Sequence, residues 1–131
     1  MLGKRGFLGC ALCAAAGLVA GKAEAQPAGG PKRTELRRLD YPNGHEVIQM
    51  LLEAPADLRI PRHTHPGIES AYLLEGEILL EVQGQPDRDL KPGDSFQVPA
   101  GVPHGGKVGA RPCKLHITYI VEKGKPLASP A

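Results

Sequence analysis

The amino-acid sequence predicts an all-β domain, a sandwich or barrel of seven to nine short strands. The chain has 131 residues, enough for one domain with an appended segment. Its 17 Gly and 13 Pro are spread along the chain and separate short apolar runs, which is typical of strands joined by turns. No long apolar run has helical spacing, and there is no room for the crossover helices of a parallel α/β fold.

The first 25 residues are typical of a cleavable signal peptide. Lys4 and Arg5 form a basic head, and residues 7–20 are uncharged and mostly apolar or small. Small residues at Ala23 and Ala25 then suit a signal peptidase. We predict cleavage after Ala25, a periplasmic or secreted location, and no stable membrane insertion of the mature chain. The alternative is an uncleaved anchor, although the apolar run is short for a membrane span.

The head of this segment also resembles a twin-arginine export signal. Residues 4–8 read Lys-Arg-Gly-Phe-Leu, with Lys in place of the first Arg. Because that route exports folded proteins, a metal could be bound in the cytoplasm before export.

Loss of the signal changes the charge and cysteine content. The remaining chain carries 13 basic and 13 acidic residues, so its charge gives no reason to expect nucleic-acid binding. The C-x-x-C of Cys10 and Cys13 is removed with the apolar run. Cys113 is then the remaining cysteine, and we expect it to be a buried small hydrophobe.

The mature chain divides into three parts. Residues 26–35 are rich in Pro, Gly and charge and predict a flexible leader. Residues 36–122 predict the β-domain, and residues 123–131 predict a polar tail. Turns at Gly or Pro bound the predicted strands, which are residues 46–54, 70–74, 77–82, 95–98 and 113–121.

Three His and a Glu suggest a metal site. In an extended segment, a period of two places His63, His65 and Glu69 on one face. His104 follows a Pro/Gly turn and could supply a fourth ligand from a neighbouring strand. Imidazoles and a carboxylate converging in this way form a metal site that is open on one side. The alternative is that these residues are exposed in turns without a metal.

The spacing around these residues resembles the first motif of the cupin superfamily. That motif contains H-x-H, three or four residues, Glu, six residues and Gly. Here His63, His65, Glu69 and Gly76 have this spacing.

The second cupin motif is also present. It contains Gly, five residues, Pro-x-Gly, two residues and His, matched by Gly93, Pro99, Gly101 and His104. The resemblance covers residues 46–121. Within the superfamily, the chain resembles the small single-domain proteins called type 2 conserved-barrel cupins.

Two positions depart from the family pattern. Asp57 stands where the pattern has Gly, six residues before the first His, and Val108 stands where it has Asn. Neither position is a metal ligand in the pattern, so the departures concern the local turn and the subfamily.

The resemblance implies a double-stranded β-helix, or jelly-roll barrel, with a divalent transition metal at its mouth. His63, His65, Glu69 and His104 would be the ligands. The ligand set does not choose among Fe, Mn, Cu, Ni and Zn. The barrel interior would contain Leu73, Ile78, Leu80, Leu90, Phe96 and Val98.

Two functions are compatible with a metal-binding jelly-roll barrel. The first is a metal-dependent enzyme acting on a small organic substrate, because oxygenases and isomerases both occur in the superfamily. The second is a non-catalytic module that binds a small ligand or is held together by the metal. The resemblance also implies a homodimer. We expect His45 and His116 to lie outside the site.

Overall fold

The computed structural model describes residues 29–131, which form two five-stranded antiparallel sheets packed face to face. The predicted signal peptide lies outside these residues. In this part of the chain the strands are β1 (Lys32–Tyr41), β2 (His45–Ala54), β3 (Arg59–Thr64), β4 (Gly67–Glu75), β5 (Ile78–Val82), β6 (Arg88–Leu90), β7 (Ser95–Val98), β8 (His104–Val108), β9 (Cys113–Glu122) and β10 (Ser129–Pro130).

The topology is that of a jelly roll. One sheet has the order β1-β2-β9-β4-β7, and the other has the order β10-β3-β8-β5-β6. From β2 to β5 and again from β6 to β10, consecutive strands lie in opposite sheets, so the chain winds around a shared interior. Residues 29–131 contain no helix, which confirms the all-β prediction for this range. Over that range there is accordingly no helix long and apolar enough to cross a membrane.

The core lies between the sheets and follows the period of two. In β9 every odd-numbered residue from Cys113 to Val121 is buried, and in β2 every even-numbered residue is buried. The alternating apolar residues of β9 therefore belong to the core. All the residues predicted to fill the barrel are buried, namely Leu73, Ile78, Leu80, Leu90, Phe96 and Val98.

The first strand begins inside the segment predicted to be a flexible leader. β1 starts at Lys32, so residues 32–35 of the leader predicted for residues 26–35 belong to a strand. This strand lies at a sheet edge and is exposed at nearly every position, so it carries no apolar alternation to reveal it. An ion pair of 2.6 Å between Arg38 Nη1 and the buried Glu46 carboxylate fastens it to β2.

The predicted polar tail is not free of the domain. Leu127 is partly buried against the core, and β10 pairs with β3, with Ser129 opposite Thr64 and Pro130 opposite His63. A strand of two residues has no detectable sequence period, which is why composition predicted only a tail. Residues 127–130 are therefore part of the folded domain.

The departure from the family pattern at Asp57 has a structural explanation. This residue has φ = 61°, in the left-handed region that favours glycine. Its backbone N–H donates a 2.9 Å hydrogen bond to the carbonyl of Gly109. Asp tolerates this conformation better than most residues, so the turn keeps its backbone geometry without the Gly.

Candidate metal centre

The four predicted ligands converge at one end of the interior. One ligand atom from each of His63, His65, Glu69 and His104 can be chosen so that all lie within 4.8 Å of one another. His65, Glu69 and His104 are buried, and His63 is half-buried. The sequence-predicted group is thus brought together in full.

These ligands come from both sheets. His63 in β3 lies directly opposite His104 in β8, whereas Glu69 belongs to β4 in the other sheet. The chain crosses between the sheets after His65, at Pro66 and Gly67. The period-two argument assumed that His63, His65 and Glu69 share one continuous strand. They do not, because His63 lies in β3, Glu69 lies in β4 and His65 lies between the two strands. They converge because the crossover carries Glu69 to the opposite wall of the same end of the barrel.

Each of the three imidazoles donates a hydrogen bond to a backbone carbonyl through Nδ1. The Nδ1–H groups of His63, His65 and His104 donate to the carbonyl oxygens of Pro61 (2.8 Å), Leu127 (2.6 Å) and Val102 (2.9 Å), respectively. A carbonyl oxygen can only accept, so each Nδ1 carries the proton. Such outer hydrogen bonds typically fix the ring orientation of metal-binding histidines, leaving Nε2 for the metal.

Glu69 lies between two of these rings. Its Oε2 is 2.8 Å from Nε2 of both His65 and His104. His104 Nε2–H donates a hydrogen bond to this oxygen, so the metal-free His104 ring is protonated on both nitrogens. The contact with His65 lacks hydrogen-bond geometry, which leaves His65 Nε2 as a buried polar atom without a partner. An unpartnered buried nitrogen is costly unless something binds it.

The charges of the group depend on one another. Burial raises the pKa of Glu69, but the hydrogen bond from His104 and the proximity of His65 outweigh burial and hold the pKa at about 2. Burial lowers the pKa of His104. The hydrogen bonds to the Glu69 carboxylate and the Val102 carbonyl raise it by more than burial lowers it, so the pKa of His104 lies above its usual value. For His63, burial dominates and lowers the pKa.

This donor set fits a divalent transition metal. Imidazole nitrogens and a carboxylate suit Zn, Fe, Mn, Ni and Cu, and the unpartnered Nε2 of His65 faces the other ligands. Four protein ligands leave two positions open on an octahedral ion. The identity of the metal does not follow from the ligands.

A cavity of about 480 Å³ adjoins the four ligands. Its walls are mainly apolar, and its other polar side chains include Tyr119, Arg33 and Arg62. This is the size and character of a pocket for a small organic molecule. The apolar side chains that line it include Leu52, Ile60, Ile78, Leu80, Phe96, Leu115, Ile117 and Leu127.

Sequence reasoning missed two residues of this site. Tyr119 is buried, and its ring centre lies 4.8 Å from that of His65. The alternation of apolar residues in β9 was enough to place Tyr119 on the interior face. It could not show that Tyr119 lies opposite Glu69, because that depends on the pairing of β9 with β4. Leu127, whose carbonyl accepts from His65, had no sequence signal because the backbone supplies the contact.

The remaining histidines lie outside the group, as expected. His45 Nδ1 is 3.0 Å from the carbonyl of Asn43 in the turn before β2. His116 occupies a half-buried position in β9 on the face opposite the core. Both therefore provide matched histidine controls for experiments on the site.

Comparison with known proteins agrees with this geometry. A family model described as "Cupin domain" matches residues 50–122. Among curated proteins, dimethylsulfoniopropionate lyase DddQ from Ruegeria pomeroyi is 41% identical over 58 residues, which are 44% of this chain and 29% of that protein.

Solved structures give the same picture. The crystal structure of that DMSP lyase matches with a TM-score of 0.61 and 28% identity over 65% of this chain and 43% of the lyase chain. An RmlC-like cupin from Shewanella frigidimarina also matches with a TM-score of 0.61, with 24% identity over 76% of this chain and 83% of that chain. The chain thus spans less than half of the lyase chain but most of the Shewanella frigidimarina chain.

Proposed function

This chain belongs to the cupin family, and from that premise we propose that it is a metal-dependent enzyme acting on a small organic substrate. One observation carries the proposal. Three imidazoles and a carboxylate converge beside a mainly apolar cavity of about 480 Å³, so a bound ion would face space that a substrate could enter. Resemblance to the family supports the fold, whereas this juxtaposition supports catalysis.

The chemistry divides between the metal and the chain. A bound divalent metal would polarise a substrate oxygen, and Fe, Mn or Cu would also allow oxygenase-like redox chemistry. The apolar walls exclude water and strengthen electrostatic interactions within the cavity. Burial and the charge of Glu69 raise the pKa of Tyr119, so its hydroxyl stays protonated and can donate a hydrogen bond to the substrate. Arg33 and Arg62 add positive charge to the lining, which favours an anionic substrate.

Oxygenase-like and isomerase-like reactions are the two classes that we propose first. A lyase reaction on dimethylsulfoniopropionate is a second candidate, favoured by the 41% identity to the DMSP lyase. That identity covers 29% of the lyase, so the substrate needs a direct assay. Incubating the metal-loaded protein with dimethylsulfoniopropionate and following its consumption by proton NMR tests this candidate.

The alternative to an enzyme is a module that binds a ligand or uses the metal as a structural support. An enzyme and a structural module differ in whether the bound metal keeps a coordination position from which water can exchange. Water-proton relaxation of the Mn²⁺-loaded protein measures this property. A coordination shell with no exchangeable water would favour the structural module, whereas rapid exchange would support the enzyme.

The central experiment is metal content combined with turnover. The mature protein should contain near-stoichiometric transition metal, and His65→Ala should lose it while His116→Ala should keep it. Products from a panel of small oxygen-bearing compounds, formed by the native protein and His116→Ala but not by His65→Ala, would support the enzyme. A native protein with no metal would contradict the proposal.

We also propose that the chain is exported to the periplasm or secreted, with cleavage after Ala25. The basic head, the apolar residues 7–20 and the small residues before the cleavage position support this proposal. Sequencing the amino terminus of exported protein tests it, with Gln26 expected first. Exported protein that begins with Met1 would contradict cleavage, and dependence on the twin-arginine translocase would identify the route.

A homodimer is the partner that we propose. An apolar row crosses the outer face of the β1-β2-β9-β4-β7 sheet, where Leu39, Val47, Ile120 and Ile68 are successive cross-strand neighbours. Leu39 is 70% exposed, Ile68 44% and Ile120 36%, so the row forms a continuous exposed patch. Sedimentation at micromolar concentration tests the dimer, and a monomer at that concentration would contradict it.

A further inference from the structure

We propose that the segment of residues 127–130 is a positioning element of the metal centre that sets the orientation of the His65 ring. This inference rests on the proposed metal site and adds a part of the chain that lies outside both cupin motifs. The carbonyl oxygen of Leu127 accepts a 2.6 Å hydrogen bond from His65 Nδ1–H. The two residues are 62 positions apart in the sequence, so the contact exists only when the segment is docked.

Several contacts dock the segment on β3. The Leu127 side chain packs against the core, Ser129 lies opposite Thr64, and Pro130 lies opposite His63. The backbone N–H of Ala131 donates a 3.2 Å hydrogen bond to the Arg62 carbonyl. The segment thus runs along the edge of the strand that carries one ligand and leads into the next.

His65 differs from the other two histidines in what orients its ring. The Nδ1 groups of His63 and His104 donate to carbonyls only two residues before them, within the same local backbone. The backbone of His65 is fixed by a 3.0 Å hydrogen bond from the N–H of Gly101 to its carbonyl. The His65 ring donates its hydrogen bond to Leu127, so loss of the segment would remove the Nδ1 partner of His65 and leave those of His63 and His104 in place.

Loss of such an outer hydrogen bond has a known range of cost. Removing the partner that orients a metal-bound histidine typically weakens metal affinity by about 10- to 100-fold. Residues 127–130 also line the cavity beside the ligands, so their displacement would open one wall to water. Both effects follow from the docked position of the segment.

Two full-length variants test the inference. Leu127→Asp places a charge against the core and should undock the segment, and Leu127→Gly removes the apolar contact without adding charge. Leu127→Met retains the contact and should behave like the native protein. Lys125→Ala is the matched control, since it removes only an exposed ion pair with Glu122 in the turn before the segment.

The measurements are Zn²⁺ and Co²⁺ affinity, amide hydrogen exchange, and the imidazole NMR signals of the metal-free proteins. We expect Leu127→Asp and Leu127→Gly to bind both ions about 10- to 100-fold more weakly, with Leu127→Met and Lys125→Ala within about threefold of native. The Nδ1–H signal of His65 should broaden or shift in the two undocked variants, while that of His104 is unchanged. This pattern separates a positioning role from general loss of structure.

Native affinity in a variant whose exchange shows the segment undocked would overturn the inference. An equal change in the signals of His65 and His104 would also overturn it, because general unfolding would then explain the weaker binding. If the native protein binds neither ion, the proposed function itself fails. A His65 signal that still shifts alone in the metal-free variants would then show that the segment orients the ring independently of any metal.

Discussion

Glu69 and Tyr119 lie directly opposite each other on β4 and β9, and both line the cavity beside the three histidines. Burial is the main cause that raises the pKa of Tyr119, and the Glu69 carboxylate raises it further. The phenol therefore remains a donor throughout the physiological pH range. Tyr119 is thus a buried hydrogen-bond donor that lines the cavity beside the candidate metal centre.

Tyr119→Phe should separate catalysis from metal binding. Metal content should be unchanged, because the hydroxyl is not among the four ligands, whereas kcat/KM for the substrate identified by the product screen should fall about 10- to 100-fold. Tyr72→Phe on the exposed face of β4 is the matched control. Equal kcat/KM in the native protein and Tyr119→Phe would remove Tyr119 from the site chemistry.

Metal removal should destabilise the fold. An ion present at about 100 times its Kd stabilises the native state by about 2.7 kcal/mol, which corresponds to about 10 °C or more in Tm for a domain of this size. Differential scanning calorimetry with Zn²⁺ and then with excess chelator measures the change. His116→Ala should show the same shift and His65→Ala should not. A shift of equal size in His65→Ala would mean that the ion binds elsewhere.

Metal affinity should fall as the pH is lowered. A metal and a proton compete for His104 Nε2, and the Glu69 carboxylate helps to raise the pKa of that ring above its usual value. Protons therefore begin to compete at a higher pH than they would for an ordinary histidine. Calorimetric titration of Zn²⁺ at several pH values, in buffers of different ionisation enthalpy, should show proton release that grows toward lower pH. Affinity that does not change between pH 8 and pH 5.5 would contradict this expectation.

The turn at Asp57 gives a prediction for stability alone. Asp57→Gly should change the free energy of unfolding by less than about 1 kcal/mol, because Gly removes the backbone strain but adds freedom to the unfolded chain. Asp57→Val should lower it by about 2 kcal/mol, since a β-branched residue is strained at positive φ. Urea unfolding midpoints measure both variants. A Val variant as stable as the native protein would show that the turn relaxes to another conformation.

The sequence predicted the parts of the fold in which spacing carries information. Alternation identified β2 and β9, and two spaced motifs identified the four side chains that converge at the candidate metal centre. The sequence did not predict β1, because an exposed edge strand such as Lys32–Tyr41 needs no apolar face and so shows no alternation. Tyr119 was visible as an interior residue, but its place opposite Glu69 depends on the register between β4 and β9. The role of Leu127 could not be predicted, because its backbone carbonyl makes the contact with His65 and every residue type carries that group.

The docked position of residues 127–131 also affects how the protein should be prepared in the laboratory. Ala131 is hydrogen-bonded to Arg62, which lines the cavity, so residues added after it would emerge beside the ligand group. A polyhistidine tag placed there would offer additional imidazoles within reach of the same ion. Apparent stoichiometry and affinity would then belong partly to the tag. Metal measurements on this protein therefore call for material without a polyhistidine tag after Ala131.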